Sequence, residues 1–287
     1  MVKDSKKRFF HNLSAVEFGK HLKNMAGTRS MMKIQRWIRF SHRDAVCFGT
    51  LEGDKIRVHR GDMFNAPEPT GESMQLDEVD LLAPLVPGKI LAMWNNFHAL
   101  GKKLGLAPPA EPLYLVKTPN TLLGPGGTIK QPLCDGKVVF EGELAIVIGR
   151  TCFNVSEEEA PDHVFGLTCA NDVTLSDIIA RDPTFPQWCR AKGFDTFCPL
   201  GPVIASGLDP AMLVVRTTLN DEVRQDYPIN DMVFSVAQLV SRISKDMTLN
   251  PGDVLLCGTS VGVGSMRPGS TIEIEIDGIG KLKNRFE

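Results

Sequence analysis

Residues 138–149, VVFEGELAIVIG, constrain this chain more than any other stretch. Phe140, Leu144, Ile146 and Ile148 are apolar, as a core strand requires. Two acids, Glu141 and Glu143, interrupt that apolar run. Residues two apart in a strand point to the same face, so both carboxylates project together with Cα atoms about 6–7 Å apart. Side by side they repel and lose hydration. A bound hard cation resolves the conflict, because oxygen ligands suit Mg²⁺, Mn²⁺ or Ca²⁺. Gly142 between them lets another group approach the backbone closely. Asp172 ends another apolar strand, LTCANDVT, and offers a third carboxylate. An E-x-E pair also occurs on the solvent face of edge strands. Spacing alone leaves both readings open.

The remaining pattern is rich in strands. Residues 33–40 alternate as a strand, and 45–62 read as a hairpin around Gly53-Asp54. Residues 61–88 are rich in Pro, Gly and acids and are expected as loops, with a linker at Pro84, Pro87 and Gly88. KILAMW (89–94) and PLYLVK (112–117) are strands flanking a short helix over 95–106, stopped by Pro108-Pro109. Residues 122–129 form a glycine-rich loop. Ser156 with Glu159 three residues later is a capping-box pattern for a helix over 156–166. LVVRTTLN, DVLLCGT and TIEIEIDGIGKL are further strands, and 232–245 is the best amphipathic helix. Strands outnumber helices, so the fold class is β-rich α+β.

Three segments follow: a basic N-terminal extension over 1–32, a small N-terminal β domain over 33–85, and a main domain over 86–287. The extension is read as a basic helix or tail rather than a transit segment, since Asp4 and Glu17 interrupt its apolar pattern. A net charge of −2 gives no footprint for nucleic acid or an anionic membrane surface. No stretch approaches the roughly 18 apolar residues that span a bilayer. Seven scattered cysteines, with no C-x-x-C pair, argue against zinc and disulfides and for a reducing, cytoplasmic setting.

Other residues are candidates for chemistry. Lys192, in RAKGFD (190–195), can hold a substrate carboxylate or stabilise an enolate beside a metal. Residues 258–264, GTSVGVG, expose backbone N–H groups to an anion, although they form neither a Walker loop nor a Rossmann fingerprint. His98 ends a strand and is a general-base candidate. A solvated charged loop, a wide turn and a surface histidine are the bland counterparts of these three readings.

In order along the chain, KILAMWNNF, LVKTPNTLLGPGGTI, VVFEGELAIVIGR, ANDVT, WCRAKGFDTFCPLGPVI and NPGDVLLCGTSVGVGSMRPGSTIEIEIDGIGKLKN resemble the fumarylacetoacetate hydrolase family over residues 89–287. The resemblance implies a mixed β-roll, Mg²⁺ or Mn²⁺, a homodimer and a small 2-oxo carboxylic acid or its enol as substrate. It implies Glu141, Glu143 and Asp172 as metal ligands and Lys192 as the active-site lysine. It places Gly258 and Thr259 at the substrate carboxylate, and Lys117 beside the substrate. Hydrolysis of a C–C bond in an acylpyruvate-type substrate is the first expectation. Isomerisation or decarboxylation of a hydroxymuconate-like or oxaloacetate-like acid comes second, and a silent metal- and 2-oxo-acid-binding homologue is the third. Two departures matter. The family's N-Y-x-x-H-x-x-E here reads N-F-H-A-L-G-K-K, so Leu100 stands at the histidine position and the usual His–Glu dyad is not visible. Ser176 stands where the family often has a substrate-contacting arginine, and Arg181 is five residues further on.

Overall fold

The computed structural model describes residues 33–287, and the basic extension read over 1–32 lies outside them. Residues 34–287 gather into one compact unit. The first strand, β1 (Gln35–His42), leads into the hairpin β2 (Ala45–Glu52) and β3 (Lys55–Asp62). Glu52 pairs with Lys55, so the turn is two residues long, and Gly53 takes a φ of +59° that suits it. The stretch expected as loops instead contains an eleven-residue strand, β4 (Asn65–Gln75). It lies at the end of its sheet, where prolines 67 and 69 need no ladder partner on the outer side. Two register shifts against β3 absorb the irregular sequence.

The rest of the chain supplies β5 (Ile90–Trp94), α1 (His98–Leu104), β6 (Leu113–Lys117), β7 (Val138–Phe140), β8 (Gly142–Ile148), β9 (Val164–Asn171), α2 (Trp188–Lys192) and β10 (Cys198–Ser206). Then come β11 (Val214–Leu219), β12 (Glu222–Pro228), α3 (Val236–Asp246), β13 (Val254–Leu256), β14 (Thr271–Ile276) and β15 (Gly280–Phe286). Helix α1 stops at Gly105, before the prolines, because its N–H turns back to the carbonyls of Gly101 and Lys102 at a φ of +70°. The reciprocal Ser156–Glu159 bonds do form, but Pro161 follows and only a 3₁₀ turn, Ala160–His163, results. Strands β10 and β12 and the short helix α2 have no counterpart among the sequence expectations.

Among the described residues, one large sheet runs β4-β3-β2-β1-β10-β9-β8-β13-β5-β6. Neighbours along it are antiparallel except β13 and β5. A second sheet runs β12-β11-β14-β15 and packs against the first. Every residue of β8 is buried. Leu144, Ile146 and Ile148 face a core that includes Ile272, Ile274 and Ile243, whereas Ala145 and Val147 face Ile90, Ala92, Leu115 and Leu256. Burial on both faces explains the unbroken apolar run from Leu144 to Ile148. Glu143 shares the parity of Ala145 and Val147, so it projects from the second face. All seven cysteines carry free thiols. No helix among the described residues is long and apolar enough to cross a membrane.

Candidate metal centre and active site

The run expected as one strand breaks at Glu141. Strand β7 ends at Phe140 and pairs with other strands than β8 does. At the break, backbone N–H groups must find other partners. The Glu141 N–H donates to Asn171 Oδ1 at 3.0 Å, and the Gly142 N–H donates to Gln225 Oε1 at 3.0 Å. The Glu141 carbonyl accepts from the Asp172 N–H at 2.9 Å. Asp172 is thereby fixed just beyond the end of β9, opposite the break. One carboxylate oxygen each from Glu141, Glu143 and Asp172 lies within 4.8 Å of the others. The glycine between the two glutamates has no room for a side chain, since a Cβ there would sit 2.0 Å from Thr217 Oγ1.

Two lysines converge on this acidic cluster. Lys192, at the end of α2, donates to Asp172 Oδ2 at 2.6 Å, to Glu141 Oε2 at 2.9 Å and to Thr174 Oγ1 at 2.6 Å. Lys117, at the end of β6, lies 2.7 Å from Asp172 Oδ1 and donates to the Lys192 carbonyl at 2.8 Å. Its side chain is fully buried and spends its protons on Asp172 and on backbone carbonyls, with Val173 O a longer third partner at 3.5 Å. That geometry makes Lys117 the group that orients Asp172 and the end of α2. Thr174 Oγ1 also donates to Glu141 Oε1 at 2.8 Å.

The charges do not balance. Three carboxyl groups meet two ammonium groups, so ionising all three acids would leave one negative charge in excess. Burial holds the Glu143 carboxyl well above the usual carboxylate range, and the charges of Asp172 and Glu141 add to the effect. Burial raises Glu141 as well, although Lys192 opposes it. Burial pushes Asp172 upward too, but Lys117 and Lys192 outweigh it and the net shift is down. Burial acts to strip Lys192 of its proton, but Asp172 and Glu141 retain it and the net shift is up.

Glu143 carries the best test of whether a cation fits. Its Oε2 accepts the Gly258 N–H at 2.7 Å, while its Oε1 is buried with no hydrogen-bond partner. A buried carboxylate oxygen without a donor is costly. A divalent ion held by three carboxylates would satisfy that oxygen and favour the ionised form of Glu143. The residues therefore fit a hard divalent cation.

The predicted carboxylate-binding turn lies beside this cluster. Gly258 has a φ of +88°, which a glycine adopts freely. Thr259 is largely buried; its hydroxyl donates to the Gly142 carbonyl at 3.0 Å and accepts from Gln225 Nε2 at 2.8 Å. His98 is different. It opens α1 with an exposed side chain, while Asn96 and Phe97 before it are buried. It makes none of the bonds that tie the carboxylates together. Arg181 donates to the Asp135 carbonyl, and Ser176 to the Lys137 carbonyl. Asn171, Gln225 and Tyr227 also build the site, and sequence reasoning missed them as functional residues. Tyr227 donates to the Gly142 carbonyl at 2.5 Å. The only sequence signal for Gln225 and Tyr227 is their period-two spacing in an otherwise polar stretch. Two clefts, about 490 and 350 Å³ in volume, lie outside the carboxylate cluster; the smaller one is lined by residues 130–133 and 193–195.

Comparison with known proteins concerns the chain as a whole. Residues 89–287 match the model described as fumarylacetoacetate (FAA) hydrolase C-terminal, and residues 35–84 match Rv2993c-like, N-terminal. The chain is 37% identical to the oxaloacetate tautomerase YisK of Bacillus subtilis, covering 82% of this chain and 84% of that one. It is 39% identical to 2-hydroxyhepta-2,4-diene-1,7-dioate isomerase from Mycobacterium marinum, with a TM-score of 0.81 over 88% of this chain and 98% of that one. It is 28% identical to maleylpyruvate hydrolase from Sphingobium sp. SYK-6, whose structure holds manganese(II) and pyruvate. The TM-score there is 0.73, over 88% of this chain and 98% of the other.

Proposed function

The chain belongs to the fumarylacetoacetate hydrolase family, and on that premise we propose a divalent-metal-dependent enzyme that interconverts enol and keto forms of a small 2-oxo dicarboxylic acid. The observation that carries the metal reading is the unpaired Oε1 of Glu143 within the Glu141–Glu143–Asp172 cluster. Mg²⁺ or Mn²⁺ suits that oxygen set, and when bound it supplies Lewis acidity toward the 2-oxo acid. Glu141, Glu143 and Asp172 would hold it. Lys117 orients Asp172. Lys192 keeps its proton at Nζ and presents fixed positive charge where an enolate develops. The Gly258–Thr259 turn, whose Gly258 N–H and Thr259 hydroxyl already hold Glu143 and Gly142, would meet the substrate carboxylate through its remaining backbone N–H groups.

Proton transfer is favoured over hydrolysis because the chain's own residues give no water-activating pair. The family's histidine and glutamate positions hold Leu100 and Lys103, and α1 contains no acid at all. Enolisation needs a proton acceptor and donor but no activated water nucleophile. The likeness to a tautomerase and to an isomerase supports the same reading. The likeness to maleylpyruvate hydrolase favours a second one, C–C hydrolysis of an acylpyruvate-type acid. Incubating Mn²⁺-loaded protein with oxaloacetate, a hydroxymuconate analogue and an acylpyruvate separates the two. Decay of enol absorbance without release of pyruvate or CO₂ is expected. Cleavage of the acylpyruvate faster than enol decay would establish the hydrolase instead, and decarboxylation would show as CO₂. No turnover of any compound would leave a binding protein.

A further inference from the structure

Resting on the metal-centre reading above, we infer that Gln225 is a positioning residue that ties the spacing of the two glutamate ligands to the carboxylate-binding turn. Its amide is buried on the edge strand β12 and lies between the two. Oε1 accepts the N–H of Gly142, the residue between Glu141 and Glu143. Nε2 donates to Thr259 Oγ1 at 2.8 Å and to the Ser260 carbonyl at 3.2 Å. Thr259 then closes the circuit by donating to the Gly142 carbonyl at 3.0 Å. Both ends of Gly142 are thus held through one relay.

The backbone is shaped to admit this amide. A Cβ at Gly142 would lie 3.2 Å from Gln225 Oε1. A Cβ at Gly262, in the same turn, would lie 2.0 Å from the Arg224 carbonyl and 3.0 Å from Gln225 Cγ. Two glycines therefore let the ligand strand and the turn close on Gln225 from opposite sides. Gly142 opens β8 opposite Asn171 of β9, and its N–H bonds to Gln225 Oε1 rather than to a neighbouring strand. Loss of the amide unpairs the Gly142 N–H and loosens the Thr259 hydroxyl on its carbonyl, where Tyr227 remains as the other donor, so the residue between Glu141 and Glu143 is less firmly held. A shift of the Thr259 turn reaches that residue through the same bonds. The placement of the turn and the geometry of the cation ligands are therefore linked.

The test is a double-mutant cycle read in Mn²⁺ affinity by calorimetry, with no substrate present. Gln225→Met keeps the length of the side chain and removes both arms. Thr259→Val removes the hydroxyl and no carboxylate. Each single variant should weaken Mn²⁺ binding about tenfold, the scale of one lost buried hydrogen bond. The double variant should be no weaker than Gln225→Met alone, and Thr259→Ser should bind as the wild type does. Near-UV circular dichroism confirms folding of each variant. Mn²⁺ affinity within twofold of wild type for Gln225→Met, or strictly additive losses, would overturn the linkage. Should Gln225→Met fail to fold, the valine–serine pair at Thr259 decides, and equal affinities for the two would overturn it. A wild-type protein that binds no Mn²⁺ removes the metal-centre reading and this one with it. Tight wild-type binding with an unaffected Gln225→Met removes only the linkage.

Discussion

The Gly258 N–H donates to Oε2 of Glu143 at 2.7 Å, and the other oxygen of that carboxylate is buried without a donor. In the metal-free protein this group is a liability. Its folded pKa lies above the ordinary carboxylate value, first through burial and then through Asp172 and Glu141. Below the ordinary value both folded and unfolded states hold the proton. As pH rises above it, the unfolded chain releases the proton and the folded one retains it, so stability falls until the folded pKa is passed. Glu143→Gln removes that slope. Thermal melts of metal-free protein between about pH 5 and about pH 8 should show a gentler decline for the variant than for the wild type. A steeper decline in the variant would contradict the assignment.

Lys192 should matter to folding as well as to turnover. Its ammonium group is nearly inaccessible and bonded to Asp172 and Glu141. Lys192→Met leaves both acids buried without that partner. Removing one side of a buried pair costs about 3–5 kcal/mol. Urea denaturation should show a loss of that size without metal, and saturating Mn²⁺ should recover part of it because the ion replaces lost positive charge. An equal loss with and without Mn²⁺ would place Lys192 outside the metal's electrostatic field.

Gly142 tolerates no side chain chiefly because Thr217 Oγ1 lies 2.0 Å from the position a Cβ would take, with Gln225 Oε1 and Ile274 Cγ1 next at 3.2 Å. Gly142→Ala should therefore destabilise by about 3 kcal/mol, the upper range for overpacking. Thr217→Ala in the same chain removes the clashing oxygen and should restore part of the loss. Chemical denaturation of the three variants checks this, and a double variant no better than Gly142→Ala would show that the strain lies elsewhere.

His98 is not expected to act as the general base. The side chain is exposed and unconnected to the carboxylates by any described bond. His98→Ala should change kcat for enol–keto conversion less than about threefold, whereas loss of a working general base costs about 10²–10⁴-fold. A loss of that size, measured on any productive substrate, would return His98 to the catalytic machinery.

Much of the fold was legible because burial writes itself into periodicity. The run in β8, the hairpin at Gly53-Asp54 and the amphipathic α3 all carry that mark. Strand β4 was not legible, since prolines that forbid a central strand are harmless at an edge. At the site, Glu141 and Glu143 stood out as acids in an apolar run. The strand break that turns Glu141 toward Asp172 did not, because its cause lies 30 and 83 residues away, in the amides of Asn171 and Gln225. Lys192 looked like part of a charged loop because α2 is only five residues long. Its burial follows from long-range packing that no local pattern records.

The most direct test of the metal centre is the binding of Mn²⁺ itself. Calorimetric titration of the wild-type protein should give one ion per chain. Glu143→Gln and Asp172→Asn should each abolish that binding while the metal-free proteins remain folded by circular dichroism. Undiminished Mn²⁺ affinity in either folded variant would contradict the assignment of Glu141, Glu143 and Asp172 as the ligands.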